Sequence, residues 1–233
     1  MPDWKTVTPR EVLDFWFPKG FEFSSEAHRA FFRERMKGGV HEAIRARFAP
    51  LTEAAAKEQL EHWRTDLRGR LALIVVLDQF SRSVWEGEAA AYGQDLKAAR
   101  LALSEIVEGG YDELEPWEKT FLLIAIAHCE GPDHLARMNR VVDWSRHVTE
   151  TAPDEIKISY RISEDQARLS RDVIAAFGRY PHRNAMLGRP STASEEPYLA
   201  RGEFPRRREI PLDPRAAEDL LRMKRNAVTG APE

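Results

Sequence analysis

Seven residues from Leu71 to Leu77, LALIVVL, carry no polar group, and the eighth is an aspartate. A run that is apolar on every side must be buried on every side. Alone it suits a core strand as well as a core helix. Its neighbours decide the matter: helix signals precede and follow it, with little strand signal between. GRLALIVVLDQF is therefore read as the central buried helix of an all-α protein of stacked antiparallel helices. Asp78 is carried into that core by its chain position. A buried carboxylate needs a cation or several donors, because an unpaired one costs several kcal/mol.

The rest of the chain is punctuated for helices. Thr8-Pro9-Arg10-Glu11 is a capping box with proline at the first helical position, opening REVLDFWF before Pro18 and Gly20. A second helix runs from about Ser25 to Lys37. Val40, Ile44 and Phe48 lie on one face of a third, expected to end at Pro50, and Thr52 starts another through EAAAKEQLEHWR. EGEAAAYGQDLKAARLALSEIVEGG reads as one long amphipathic helix stopped by Gly109-Gly110. Pro116 opens WEKTFLLIAIAHCE, and DHLARMNRVVDWSRHVTE follows. Ser163-Glu-Asp-Gln166 is a second box, for a helix closed by Gly178. Thr192-Ala-Ser-Glu195 is a third, with Pro197 moving the helix start toward Glu195. GEFPRRREIPLDP reads as an extended connection and RAAEDLLRMKR as a last helix. The expectation is one helical domain over residues 1–233, of which 202–233 is a C-terminal extension with one added helix.

Composition excludes more than it selects. The net charge is −3, with 35 Lys+Arg against 38 Asp+Glu, which does not suit bulk nucleic-acid binding. Residues 179–208 hold seven arginines and three glutamates, so this stretch is +4 and the remainder −7. Such a bias suits a local anion site or a solvated surface. Cys129 is the only cysteine, so no internal disulfide forms, which fits a reducing compartment. The first residues lack the basic start and apolar run of a leader, and no apolar run reaches the ~20 residues that span a bilayer. A cytoplasmic location is expected, with no membrane and no nucleic-acid partner.

Apolar helices here finish in polar clusters: Asp78-Gln79-Phe80-Ser81-Arg82, His128-Cys129-Glu130, and Gly178-Arg-Tyr-Pro-His-Arg-Asn184. Three similar endings suggest that they converge. Arg82, four residues after Asp78, shares its helix face. Arg179, His182, Arg183 and Asn184 project donors from a turn stiffened by Pro181, and planar guanidinium groups suit carboxylate or phosphate. Architecture uses the same residues in another way: an Asp78–Arg82 clamp, with the turn capping carbonyls and pairing with Asp78 and Glu195. His128, Glu130, Asp133 and His134 do not follow a zinc spacing, so no metal is expected. Cys129 and His128 are adjacent and point about 100° apart on a helix, so they do not form a nucleophile–base pair by that adjacency. The chain has no Walker loop, G-x-S-x-G or dinucleotide fingerprint, and no cofactor is expected.

Several stretches resemble DUF924, a bacterial family of unknown function: VLDFWF from Val12, IRARF at 44–48, GRLALIVVLDQFSR at 69–82, the His128–Glu130 helix end, and FGRYPHRNAMLGRPST..EE at 177–196. The resemblance covers about Val12 to Leu199. It implies a TPR-like α-α superhelix and no activity. Family members usually carry proline at 81, asparagine at 83, tyrosine at 85 and phenylalanine at 180, where this chain has Ser81, Ser83, Trp85 and Tyr180. These differences border the polar groups and leave them in place.

Three functions are open to such a sequence. One is a binding protein that takes a small anion or an acidic peptide with Gln79, Arg82, His128, Glu130, Arg179, Arg183 and Asn184. Another is a hydrolase or transferase acting on a phosphorylated or carboxylated metabolite, with Asp78 or His182 handling protons. The third is a protein-interaction module in which the Asp-Arg-His cluster is purely architectural.

Overall fold

The capping box at Thr8 forms: the Thr8 hydroxyl accepts from the Glu11 N–H at 3.3 Å, and the Glu11 carboxylate accepts from the Thr8 N–H at 2.8 Å. It starts α1 (Pro9–Trp16), whose Val12, Leu13 and Trp16 are buried. The computed structural model describes residues 3–202 and Phe204. The expected helix RAAEDLLRMKR and nearly all of the connection before it lie outside these residues. The α-helices that follow are α2 (Ser25–Met36), α3 (His41–Ala56), α4 (Leu67–Val75), α5 (Ser81–Val84), α6 (Asp95–Glu108), α7 (Pro116–His128), α8 (His134–Thr151), α9 (Lys157–Phe177) and α10 (Glu196–Arg201). No strand occurs among the described residues, as expected of an all-α fold.

The chain forms two compact units. The first comprises the described residues up to Phe23 together with Ala30–Cys129; the second comprises Ser24–Arg29 and the described residues from Glu130 onward. In the first unit α4 is the central element, packed by α1, α6 and α7. An aromatic cluster fills the space beside it. The Trp16 ring meets Phe80 at 5.8 Å and Phe121 at 5.3 Å edge-on, and Phe48 meets Phe80 at 5.0 Å. Edge-to-face contacts of this kind add to the burial of the rings themselves. In the second unit α9 folds back along α8, and Gly178 ends it in the left-handed region at φ 70°. His28 is fully buried there and its Nε2 lies 2.8 Å from the Tyr160 hydroxyl.

Several element boundaries differ from the sequence reading. Pro50 does not end α3; the helix continues to Ala56. A proline inside a helix costs ~3 kcal/mol. Here it lies between Ile44 and Phe48 on one side and Leu51, Thr52, Ala54 and Ala55 on the other, all buried, and that packing holds the helix together across it. The helix expected over residues 53–64 is instead the end of α3, a turn with Glu58 at φ 61°, and a 3-10 segment Glu61–Thr65. The long helix expected from Glu86 begins only at Asp95, after a 3-10 turn at Ala89–Tyr92. Ser163 does not cap a helix start: α9 begins six residues earlier, and the Ser163 hydroxyl bonds back to the Ser159 carbonyl at 3.1 Å. The Thr192–Glu195 turn forms, and α10 starts at Glu196 with Pro197 in its first turn.

Gly69 is fixed by sterics rather than by conformation. A β-carbon there would collide with the backbone carbonyl oxygen of Trp63. Asp66 caps the same turn by accepting the Gly69 N–H at 2.9 Å. Gly69→Ala must therefore push α4 away from the 3-10 segment. Overpacking of this kind costs about 1–3 kcal/mol, which a urea unfolding series read by circular dichroism would show as a lower midpoint.

Candidate functional site

Asp78 is 0% exposed. It does not sit in a regular α-helix. Val76–Phe80 is a single π-helical segment between α4 and α5, closed by the Ser81 N–H bonding to the Val76 carbonyl. Such π turns are rare, and they concentrate at functional sites.

Both carboxylate oxygens of Asp78 have partners. Oδ1 lies 2.7 Å from Nδ1 of His128, the last residue of α7. Oδ2 accepts from the Gln79 side-chain amide at 2.5 Å. Arg82 is nearby, with its Nη2 at 3.7 Å from Oδ1, beyond hydrogen-bond distance. Burial pushes the Asp78 carboxyl up. The charge and hydrogen bond of His128, the Arg82 charge and the Gln79 amide together outweigh that push and hold it below its ordinary value. His128 remains partly open, with 18% of its side chain exposed. It stands at the negative pole of the α7 dipole, which favours positive charge there.

Arg82 bonds elsewhere. Its guanidinium donates to Asp95 Oδ1 at 2.5 Å and to the Ala91 carbonyl, and lies over the Tyr92 ring at 4.6 Å. The expected Asp78–Arg82 pair is thus a charge contact, while the bonded carboxylate is Asp95 at the start of α6. Sequence reasoning missed Asp95. It sits 13 residues from Arg82 in a segment expected to be mid-helix, and only the 3-10 turn at Ala89–Tyr92 brings it into reach.

Glu130, Arg179, His182, Arg183 and Asn184 belong to the second unit and form an interlocked turn. Arg179 makes a two-pronged pair with Glu195, Nε to Oε1 at 2.7 Å and Nη2 to Oε2 at 2.8 Å. Glu195 also accepts from the Thr192 N–H at 2.8 Å and from the Asn184 amide at 3.0 Å. Glu130 accepts the Tyr180 N–H at 2.7 Å and pairs with Arg189. Arg183 is buried, and its guanidinium lies 4.7 Å over the Tyr180 ring. The His182 ring stacks on Phe204 at 5.3 Å. The Arg179 bonds, aided by those of Thr192 and Asn184, hold the Glu195 carboxyl at about 2 against its burial. Glu130 is pushed up by burial, but the Arg189 bond, the Tyr180 N–H and the charges of Arg183 and Arg189 bring it below its ordinary value.

Asp133 pairs with Arg137 at 2.9 Å. Among the described residues no three of His, Cys, Asp and Glu gather as a metal-binding group, and no helix is long and apolar enough to cross a membrane.

The family model "Bacterial protein of unknown function (DUF924)" matches residues 12–203. The chain is also similar to a solved structure from Agrobacterium tumefaciens, the protein of unknown function ATU0120. The identity is 26% and the TM-score 0.61, over 83% of this chain and 97% of that one. No curated protein matches the chain.

Two predictions follow from these pairings. Asp78→Ala takes the acceptor from the half-buried His128 and Gln79 donors, a loss of about 1–3 kcal/mol; urea unfolding of variant and wild type measures it. Glu195 works through pH. Its folded-state value is depressed, so its contribution is complete above about pH 4.5 and is lost as the pH falls toward 2. Thermal midpoints recorded from pH 6 to pH 2 should fall less steeply for Glu195→Gln than for the wild type across that window.

Proposed function

The chain belongs to DUF924, a family of bacterial proteins of unknown function, and we propose that this member is an enzyme of the hydrolase or transferase kind whose proton-handling group is His128, oriented by Asp78. One observation carries the reading: a fully buried carboxylate bonds Nδ1 of an imidazole whose side chain stays partly open to solvent. An aspartate accepting Nδ1–H selects the tautomer that leaves the lone pair on Nε2 and stabilises the ring when it gains a proton. A ring held this way can take a proton from water or a hydroxyl and return it to a leaving group. The π segment at Asp78 adds support, because such turns are frequent at functional sites.

The anion-clamp reading fares less well. The guanidinium groups of Arg82, Arg179 and Arg189 bond Asp95, Glu195 and Glu130 within their own units. That commitment favours architecture for the Arg179–Glu195 turn, and it moves the proton-handling role from His182 to His128.

The test is turnover of generic ester and phosphoester substrates, with a metabolite mixture followed by mass spectrometry. His128→Gln should lower any turnover by about 10²–10⁴-fold with the helical circular dichroism unchanged. Equal turnover by the variant, or none by the wild type across the whole panel, would remove the proposal.

A further inference from the structure

Asp78 Oδ1 is contested. His128 Nδ1 reaches it at 2.7 Å, and the Nη2 nitrogen of Arg82 stands 3.7 Å from the same atom. A guanidinium is the stronger partner for a carboxylate in most settings, since its hydrogen bonds are charge-assisted at any ordinary pH. It would need to move about 1 Å to make that bond at the usual length. It is held back on two sides. Nη2 donates to Asp95 Oδ1 at 2.5 Å, and Nη1 bonds the Ala91 carbonyl, while the plane rests over Tyr92. Asp95 is 6% exposed.

We propose that Asp95 is a positioning residue that draws the Arg82 guanidinium off Asp78 and so reserves Oδ1 for the His128 ring. This rests on the reading of Asp78–His128 as the proton-handling pair. Without the Asp95 charge, Arg82 would close onto Asp78 Oδ1. The ring would then lose both its orientation and the full charge of its carboxylate partner. The ion pairs at this point join Asp78 on the π segment, Arg82 on α5, Asp95 on α6 and His128 on α7.

Asp95→Asn also removes a negative charge at a distance, and that alone weakens proton binding by the ring. A double-mutant cycle separates the two effects. The His128 ring is titrated by NMR in the full chain as wild type, Asp95→Asn, Arg82→Gln and the double variant. If Arg82 closes onto Asp78, Asp95→Asn lowers the His128 midpoint by about one pH unit. The same substitution in the Arg82→Gln background then has at most a small effect. Equal shifts in both backgrounds would show a simple long-range charge effect and overturn the proposal, as would no shift in either. Asp95→Ser, which keeps an oxygen at the start of α6, replaces the asparagine variant if that one does not fold. Asp78→Asn tells the two readings apart. If it fails to move the His128 titration, the pair itself is not coupled and the proton-handling reading falls. If it moves the titration while the cycle is additive, only the role of Asp95 falls.

Discussion

A carboxylate placed at the end of seven apolar residues sets the terms for the first unit. Asp78 cannot reach solvent, so the structure has to bring donors to it. The π segment, the end of α7 and the start of α6 all serve that need. The π turn supplies Gln79, α7 supplies an imidazole, and α6 supplies the second carboxylate that balances Arg82. None of these groups could be removed without leaving another without its partner, which is the character of a fully satisfied polar network inside a low-dielectric core.

The same rule repeats through the chain. Buried Glu105 is matched by Arg70, buried Glu118 by Arg68, Asp95 by Arg82, Glu130 by Arg189 and Glu195 by Arg179. The arginine excess at residues 179–208 is therefore partly internal counter-charge rather than a surface offered to a partner. A buried ion pair is weak evidence for stability, because desolvation offsets much of the attraction. Its firmer consequence appears when one partner is removed, because the buried charge left behind has no compensation. His128 is the exception among these partners. Its imidazole can give up a proton as well as take one, which a guanidinium cannot, and for that reason the proposed role falls to it and not to the arginines.

Signals held within one turn of chain were legible in the sequence. The Thr8 capping box, the glycine stops at Gly109 and Gly178, and the start of α10 near Glu195 all depend on residues a few positions apart. The burial of Asp78 was legible too, since the run before it leaves no polar face. Pro50 misled because its local cost is real but smaller than the packing of the helix around it. The π segment leaves no mark in the sequence, because one inserted residue in an apolar run changes no periodicity that can be seen there. The Asp78–His128 and Arg82–Asp95 bonds join residues 50 and 13 positions apart. They are products of tertiary packing, and the sequence shows only that such partners must exist.

The division of α2 carries a consequence for how the molecule is made. Ser24–Arg29 belongs with the second unit although Ala30–Cys129 belongs with the first. The chain therefore enters the second unit, leaves it for a hundred residues and returns at Glu130. On the ribosome, His28 emerges long before Tyr160, the partner its ring bonds in the finished protein. The second unit is not one contiguous stretch, and a gene fragment beginning at Glu130 would encode it without the buried His28 that bonds Tyr160. Joining Ser24–Arg29 to the rest of its unit closes a loop of about a hundred residues, an entropic cost that grows only slowly with loop length.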